Sequence, residues 1–134
     1  APLQLPLAGT GAGGGGARAA LGLAVGDFGT ILEVSVDSVN SPEGCAAIRW
    51  KDQTKVKEAA TAMKSTAPDL KALNIIDEIV EEPLGGAHTN PQEAAQRLGD
   101  LLWKQWEAVK DLSADQLVER RYQKFRPMGF FEAA

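Results

Sequence analysis

Apolar and polar positions alternate from Thr30 to Val36 (Thr-Ile-Leu-Glu-Val-Ser-Val), and the β-branched content of that run predicts a strand. Ile75 to Val80, bounded by Asn74 and Pro83, predicts a second strand. A third strand-like run, Leu5-Pro6-Leu7-Ala8, leads into six glycines among the eight residues Gly9 to Gly16. Helical spacing takes over elsewhere. Gln53 to Met63 places Val56, Ala59, Ala60 and Met63 on one side, and Thr66-Ala67-Pro68-Asp69 has the hydroxyl, early Pro and acid that open a short helix through Leu73. Asn90-Pro91-Gln92-Glu93 starts a longer helix whose apolar stripe is Ala94, Leu98, Leu101, Leu102, Trp106 and Val109. Ser113-Ala114-Asp115-Gln116 caps the last helix, with Leu117, Val118, Tyr122 and Phe125 on a shared face and Pro127 with Gly129 ending it. Asp37 to Gly44 reads as turn chemistry, and Cys45 to Ile48 as a small-residue segment suited to tight packing.

Strands alternating with helices predict an α/β layered fold. Three strands are few for helices of this length, and the chain begins inside a strand-like run, so the sequence reads as the second half of something larger. The glycine run has two readings. It is a flexible linker ahead of a close-packed helix from Ala17 to Val25, or a strand–loop–helix unit whose backbone N–H groups and helix dipole face an anion. A phosphate-binding loop of the Gly-x-x-x-x-Gly-Lys-Ser/Thr type is excluded, because no Lys follows the glycines.

The 134 residues are 44% hydrophobic and 24% charged, which fits one globular domain. A net charge of -4 provides no large basic field for nucleic acid, and no run approaches the roughly 20 apolar residues of a membrane span. One cysteine, Cys45, cannot form an internal disulfide and points to a reducing compartment. One histidine, His88, cannot build a multi-histidine metal site, so no metal is expected. Among single residues, Glu43 is read as a helix-capping acid in preference to an active-site carboxylate, and Cys45 as a small buried side chain in preference to a nucleophile. His88 is read as a loop-to-helix hydrogen-bonding residue in preference to a catalytic one. Arg120, Arg121, Gln123, Lys124 and Arg126 either hold a phosphate or form a solvated basic face at a helix C-terminus, the second reading preferred. Trp103 and Trp106 are read as core in preference to interface.

Ser38 to Lys51 reads Ser-Val-Asn-Ser-Pro-Glu-Gly-Cys-Ala-Ala-Ile-Arg-Trp-Lys and resembles the carboxyltransferase alpha subunits of multi-subunit acetyl-CoA carboxylase, whose stretch reads close to SVISPEGCASILWK. The similarity continues through Ala67 to Leu73, Ile76 to Val80, Glu82-Pro83-Leu84-Gly85-Gly86-Ala87-His88, and Arg121 to Arg126 followed by Met128-Gly129. The resemblance covers roughly Leu5 to Phe130. It implies a crotonase-like α/β spiral of which this chain is the C-terminal part. The implied divisions are a partial core over 1–90, a helical extension over 91–126 and a tail over 127–134.

The resemblance also implies an activity: carboxyl transfer from carboxybiotin on a biotin carboxyl carrier protein to acetyl-CoA, giving malonyl-CoA for fatty acid synthesis. It implies a carboxyltransferase beta subunit as partner in an alpha2beta2-type assembly, and a bacterial cytoplasm or plastid stroma as location. Backbone N–H donors at Gly15 and Gly16 would stabilise the developing oxyanion, with Ala17 and Arg18 beside the substrate. The family's loop reads close to GEGGSGGALAIGVGD, and here its second glycine pair is replaced by Arg18 and Ala19. The alternative expectation is a degenerate, non-catalytic fragment that keeps the packing helices and serves as a subunit-interaction protein.

Overall fold

Among the described residues, five short strands pair in parallel, and glycine and serine decide where they break. A computed structural model describes residues 3–16 and 25–129. Strand β1 (Ala8–Gly11) pairs with β3 (Phe28–Leu32), and β3 pairs with β5 (Glu78–Val80), giving a parallel sheet of order β1-β3-β5. Strand β2 (Gly14–Gly16) pairs in parallel with β4 (Val36–Ser38) as a separate two-stranded sheet. The two pairings are successive parts of one pair of chain segments. Ala8 faces Phe28, whereas Gly14 faces Val36, so the second segment gains two residues on the way.

The break between the pairings is held by hydrogen bonds. Gly13 turns at φ +81°, in the left-handed region that glycine tolerates. Its N–H donates to Ser35 Oγ at 2.6 Å, and its carbonyl accepts from Val36 N–H at 3.0 Å. Ser35 N–H donates to Leu32 O at 3.0 Å, which closes the turn between β3 and β4. The single strand expected over Thr30 to Val36 is therefore two strands. Alternation read across Glu33 to Ser35 missed the turn, because Ser35 faces inward to hold Gly13. The glycine run expected as a loop is likewise two strand segments, β1 and β2, around one turn. The helix expected over Ala17 to Val25 falls on 17–24, outside the described residues, and at Val25.

The turn-rich stretch after β4 becomes helix α1 (Pro42–Trp50), with the small residues Cys45 and Ala46 inside it. Ser41 Oγ caps it by accepting from Gly44 N–H at 3.1 Å, and Glu43 lies in its first turn. Asn40 folds over that turn so closely that a Cβ on Gly44 would lie 2.6 Å from its Oδ1, which accounts for the glycine. A 3-10 turn over Gln53–Lys55 leads into α2 (Val56–Met63), where one helix was expected. Asp52 accepts from the hydroxyl and N–H of Thr54, and these bonds hold its carboxyl below the ordinary 3.8. Helix α3 (Ala67–Ala72) follows as the sequence predicts, although the Thr66 hydroxyl donates to Asp69 Oδ2 at 2.6 Å instead of capping the backbone.

Ile31 of β3 forms the core with Ala67 and Leu70 of α3, and Ile76 and Ile79 pack against it. The strand expected from Ile75 shortens to β5, because Ile75 N–H donates to Leu70 O at the end of α3. Helices α4 (Pro91–Glu107) and α5 (Ala114–Phe125) start at their predicted caps, Asn90 and Ser113, the latter in a full capping box with Gln116. Their buried faces differ from the expected stripes. In α4 the buried position is Gln105, while Trp103 and Trp106 are 64% and 46% exposed, so the Trp pair is not core. In α5 the buried residues are Leu117 and Arg121, and Tyr122 faces solvent.

The α5 cations explain that difference. Arg121 and Asp27 form an ion pair whose side chains are 2% and 0% exposed, with Nη2 donating to Oδ2 at 2.8 Å and Nε to Oδ1 at 3.1 Å. Arg121 also donates to the carbonyls of Leu3 and Leu5, while Asp27 Oδ2 accepts from Leu7 N–H at 2.8 Å. One turn on, Lys124 Nζ lies 2.6 Å from Asp77 Oδ2, which also accepts from Gly29 N–H. The last helix thus ties the segment before β1 to the entry of β3 and to the chain before β5.

Candidate functional site

Parallel strands present their carboxyl ends on one side, and ligands of α/β folds gather where those ends lead into helices. Here β2 and β4 end together, Gly16 opposite Ser38, and β4 runs through Asn40 and Ser41 into the N-terminus of α1. Three consecutive glycines in an edge strand are costly for stability and leave the backbone uncovered.

Peptide geometry fixes which donors are free. The Gly13 carbonyl points to β4, so the N–H of Gly14 in the same trans peptide points away, and alternation turns Gly15 N–H into the β4 ladder and Gly16 N–H outward. Of the two expected oxyanion donors, Gly16 directs its N–H away from β4 and Gly15 spends its own on strand pairing, with Gly14 as a second donor facing away from β4. A Cβ built on Gly14 meets no described residue within 4 Å. Ala17 and Arg18 lie outside the described residues.

The remaining candidates separate. Glu43 is exposed in the first turn of α1, where it complements the dipole, and the backbone cap is Ser41. Cys45 is half-buried in α1, not fully enclosed. His88 is exposed in the turn after β5, whose hydrogen bonds come from other residues: Ala87 N–H donates to Glu82 Oε2 at 2.7 Å, and Thr89 Oγ1 donates to Gly86 O at 2.7 Å. Gly85 and Gly86 take φ +90° and +99°, which explains the paired glycines of that motif. The basic cluster is neither a phosphate clamp nor a solvated face at its centre. Arg121 and Lys124 are consumed by Asp27 and Asp77, and the Arg120 guanidinium stacks 4.6 Å from the Phe28 ring centroid. No group of three His, Cys, Asp or Glu side chains converges among the described residues, and none of their helices is long and apolar enough to cross a membrane.

The family model of acetyl co-enzyme A carboxylase carboxyltransferase-like proteins matches residues 1–129. This chain belongs to that carboxyltransferase-like family. It is 53% identical over 131 residues to the acetyl-coenzyme A carboxylase carboxyl transferase subunit alpha of Geobacter metallireducens, covering 98% of this chain and 41% of that protein. The namesake subunits of Hydrogenovibrio crunogenus and Stenotrophomonas maltophilia are 48% and 47% identical, over 98% and 100% of this chain and 42% of each relative. The chain therefore spans about two fifths of the length of the curated relatives it matches, in their C-terminal portion. Within this carboxyltransferase-like chain, the Arg121 to Arg126 motif that carried the resemblance is structural: its first and fourth residues are the two cations that hold the strands.

Proposed function

We propose that the chain supplies the alpha side of an acetyl-CoA carboxylase carboxyltransferase, in which a carboxyl group passes from carboxybiotin to acetyl-CoA. The observation that supports this reading is the glycine strand β2, whose Gly14 and Gly16 N–H groups face away from β4, with no described residue within 4 Å of a Cβ at Gly14. Both a biotin urea and a thioester enolate place negative charge on oxygen, and fixed N–H donors stabilise such charge without moving a proton. Biotin borne on a carrier protein would bring the carboxyl group; this chain would bind and orient the acceptor oxygen at Gly16, with Ala17 and Arg18 beside it. The α1 N-terminus adds its dipole from the adjoining strand end.

In this proposal residues 1–90 are the partial core of a crotonase-like spiral, 91–126 a helical extension and 127–134 a tail. The partners are a carboxyltransferase beta subunit, in an alpha2beta2-type assembly, and a biotin carboxyl carrier protein. A bacterial cytoplasm or plastid stroma is the matching location. Arg18 and Ala19, standing where the family has glycine, slow the transfer. The Arg18→Gly, Ala19→Gly double variant, assayed with the beta subunit for malonyl-CoA formation, is expected to gain activity; no gain over the parent would refute that role.

A second reading, a non-catalytic subunit-interaction protein, is favoured by one feature. Trp103 and Trp106, three residues apart on α4, stand exposed, with Gly99 one turn before Trp103. A complex that forms with the beta subunit but does not turn over, even with the glycines restored, is what this reading expects.

A further inference from the structure

A cavity of about 410 Å3 opens beside β4, on ground that the glycine strand does not use. Its volume falls in the roughly 300–1,000 Å3 range of small-molecule sites. Ile48 of α1, Met63 at the end of α2, and Leu70 and Leu73 of α3 line it, so three helices flank an open, mainly apolar groove. Val39 and Ile48 on its lining are 87% and 74% exposed, uncovered apolar side chains that a ligand would shield from water.

The charges on the lining define the ligand further. Arg49 and Lys64 both contribute, and neither has an ion-pair partner among the described residues, unlike Arg97, Arg121 and Lys124. Asp37 is the third charged residue there and is likewise outside any ion pair among them, which leaves a net lining charge of one positive. Arg49 and Lys64 stand exposed at the mouth of the cavity, and two cations against one acid leave a single positive charge there, which complements one anionic head and not a dianion.

We propose that this cavity binds a small amphiphile, an apolar chain ending in one carboxylate, with the chain between α1 and α3 and the carboxylate at Arg49 and Lys64. None of the glycines of β2 lines the cavity, although Asp37 and Ser38 of its wall are the β4 partners of Gly15 and Gly16. Cys45 is both the single cysteine of the chain and part of the cavity wall, and so serves as a built-in reporter.

The test titrates sodium decanoate into the full chain by calorimetry and follows the rate at which an aromatic disulfide reagent modifies Cys45. Decanoate is expected to bind saturably and slow the modification at least fivefold. The double substitution Arg49→Gln, Lys64→Gln, both at exposed positions, is expected to weaken decanoate at least tenfold while leaving 1-decanol unchanged. Ile48→Asp, at the exposed apolar lining, is expected to weaken both compounds. Absence of saturable binding or of Cys45 protection overturns the proposal, as does decanoate binding no tighter than 1-decanol or decylamine.

Discussion

Replacing Arg121 with Met tests the contact that joins the last helix to the first strands. The guanidinium is 2% exposed and donates to both oxygens of Asp27, whose side chain is 0% exposed, and to the carbonyls of Leu3 and Leu5. Methionine fills much of the same volume, so the cavity term stays small. What remains is a buried carboxylate holding one N–H bond, from Leu7. Removing one member of a buried pair costs about 3–5 kcal/mol, against a total of about 5–15 kcal/mol for a domain. Asp27→Asn keeps an acceptor for Leu7 N–H but strands the arginine, at a similar cost. The double variant, with no charge left to strand, is expected to be less destabilised than the sum of the single ones by at least about 1.5 kcal/mol. Urea unfolding followed by tryptophan fluorescence measures all three, and hydrogen exchange at the Leu7 amide shows whether the segment before β1 comes loose. A loss below about 0.5 kcal/mol for Arg121→Met, or strict additivity, would refute the reasoning.

Gly26→Ala puts a Cβ 2.8 Å from the Leu7 carbonyl oxygen, a backbone atom that cannot move aside, and is expected to cost about 1–3 kcal/mol in the same urea assay. Gly14→Ala should leave stability within about 0.5 kcal/mol of the parent, since its Cβ meets no described residue within 4 Å, yet lower carboxyl transfer at least tenfold by placing a methyl group on β2. The start of α2 depends on acid: Asp52 and Glu58 are held below their ordinary values by Thr54 and Lys55, so their support is present above those values and lost as pH falls through the lowered ones. Amide shifts of Thr54 followed from pH 6 to 2 should report the loss, and Asp52→Asn should abolish that titration.

Caps and turns were legible because their signals are local. Asn90, Ser113 and the Pro-bearing start at Thr66 each open the helix they announce, and the last helix ends at Phe125, two residues before Pro127. Ser41 before Pro42 is the same kind of signal, obscured by the turn-forming residues around it. The misread positions all depend on distant partners. Arg121 looks like one more cation of a basic helix until Asp27, 94 residues earlier, is brought against it. Ser35 looks like the polar member of an alternating strand until Gly13 needs its hydroxyl. Gln105 lies at helical spacing with Leu98, Leu101 and Val109 and is buried, while Trp106, read as core, is 46% exposed. Neither amide atom of Gln105 finds a hydrogen-bond partner among the described residues. For the proposed site, the glycine density was visible in the sequence, while the strand geometry that separates Gly16 from Gly15 needed the pairing with β4.

The most direct test of the central claim is co-purification of this chain with a carboxyltransferase beta subunit, followed by carboxyl transfer from malonyl-CoA to biocytin by the eluted complex. The glycine-strand account predicts transfer above that of the beta subunit alone, falling at least tenfold with Gly14→Ala. A complex that forms and transfers no carboxyl group, with the Arg18→Gly, Ala19→Gly variant equally silent, would contradict it.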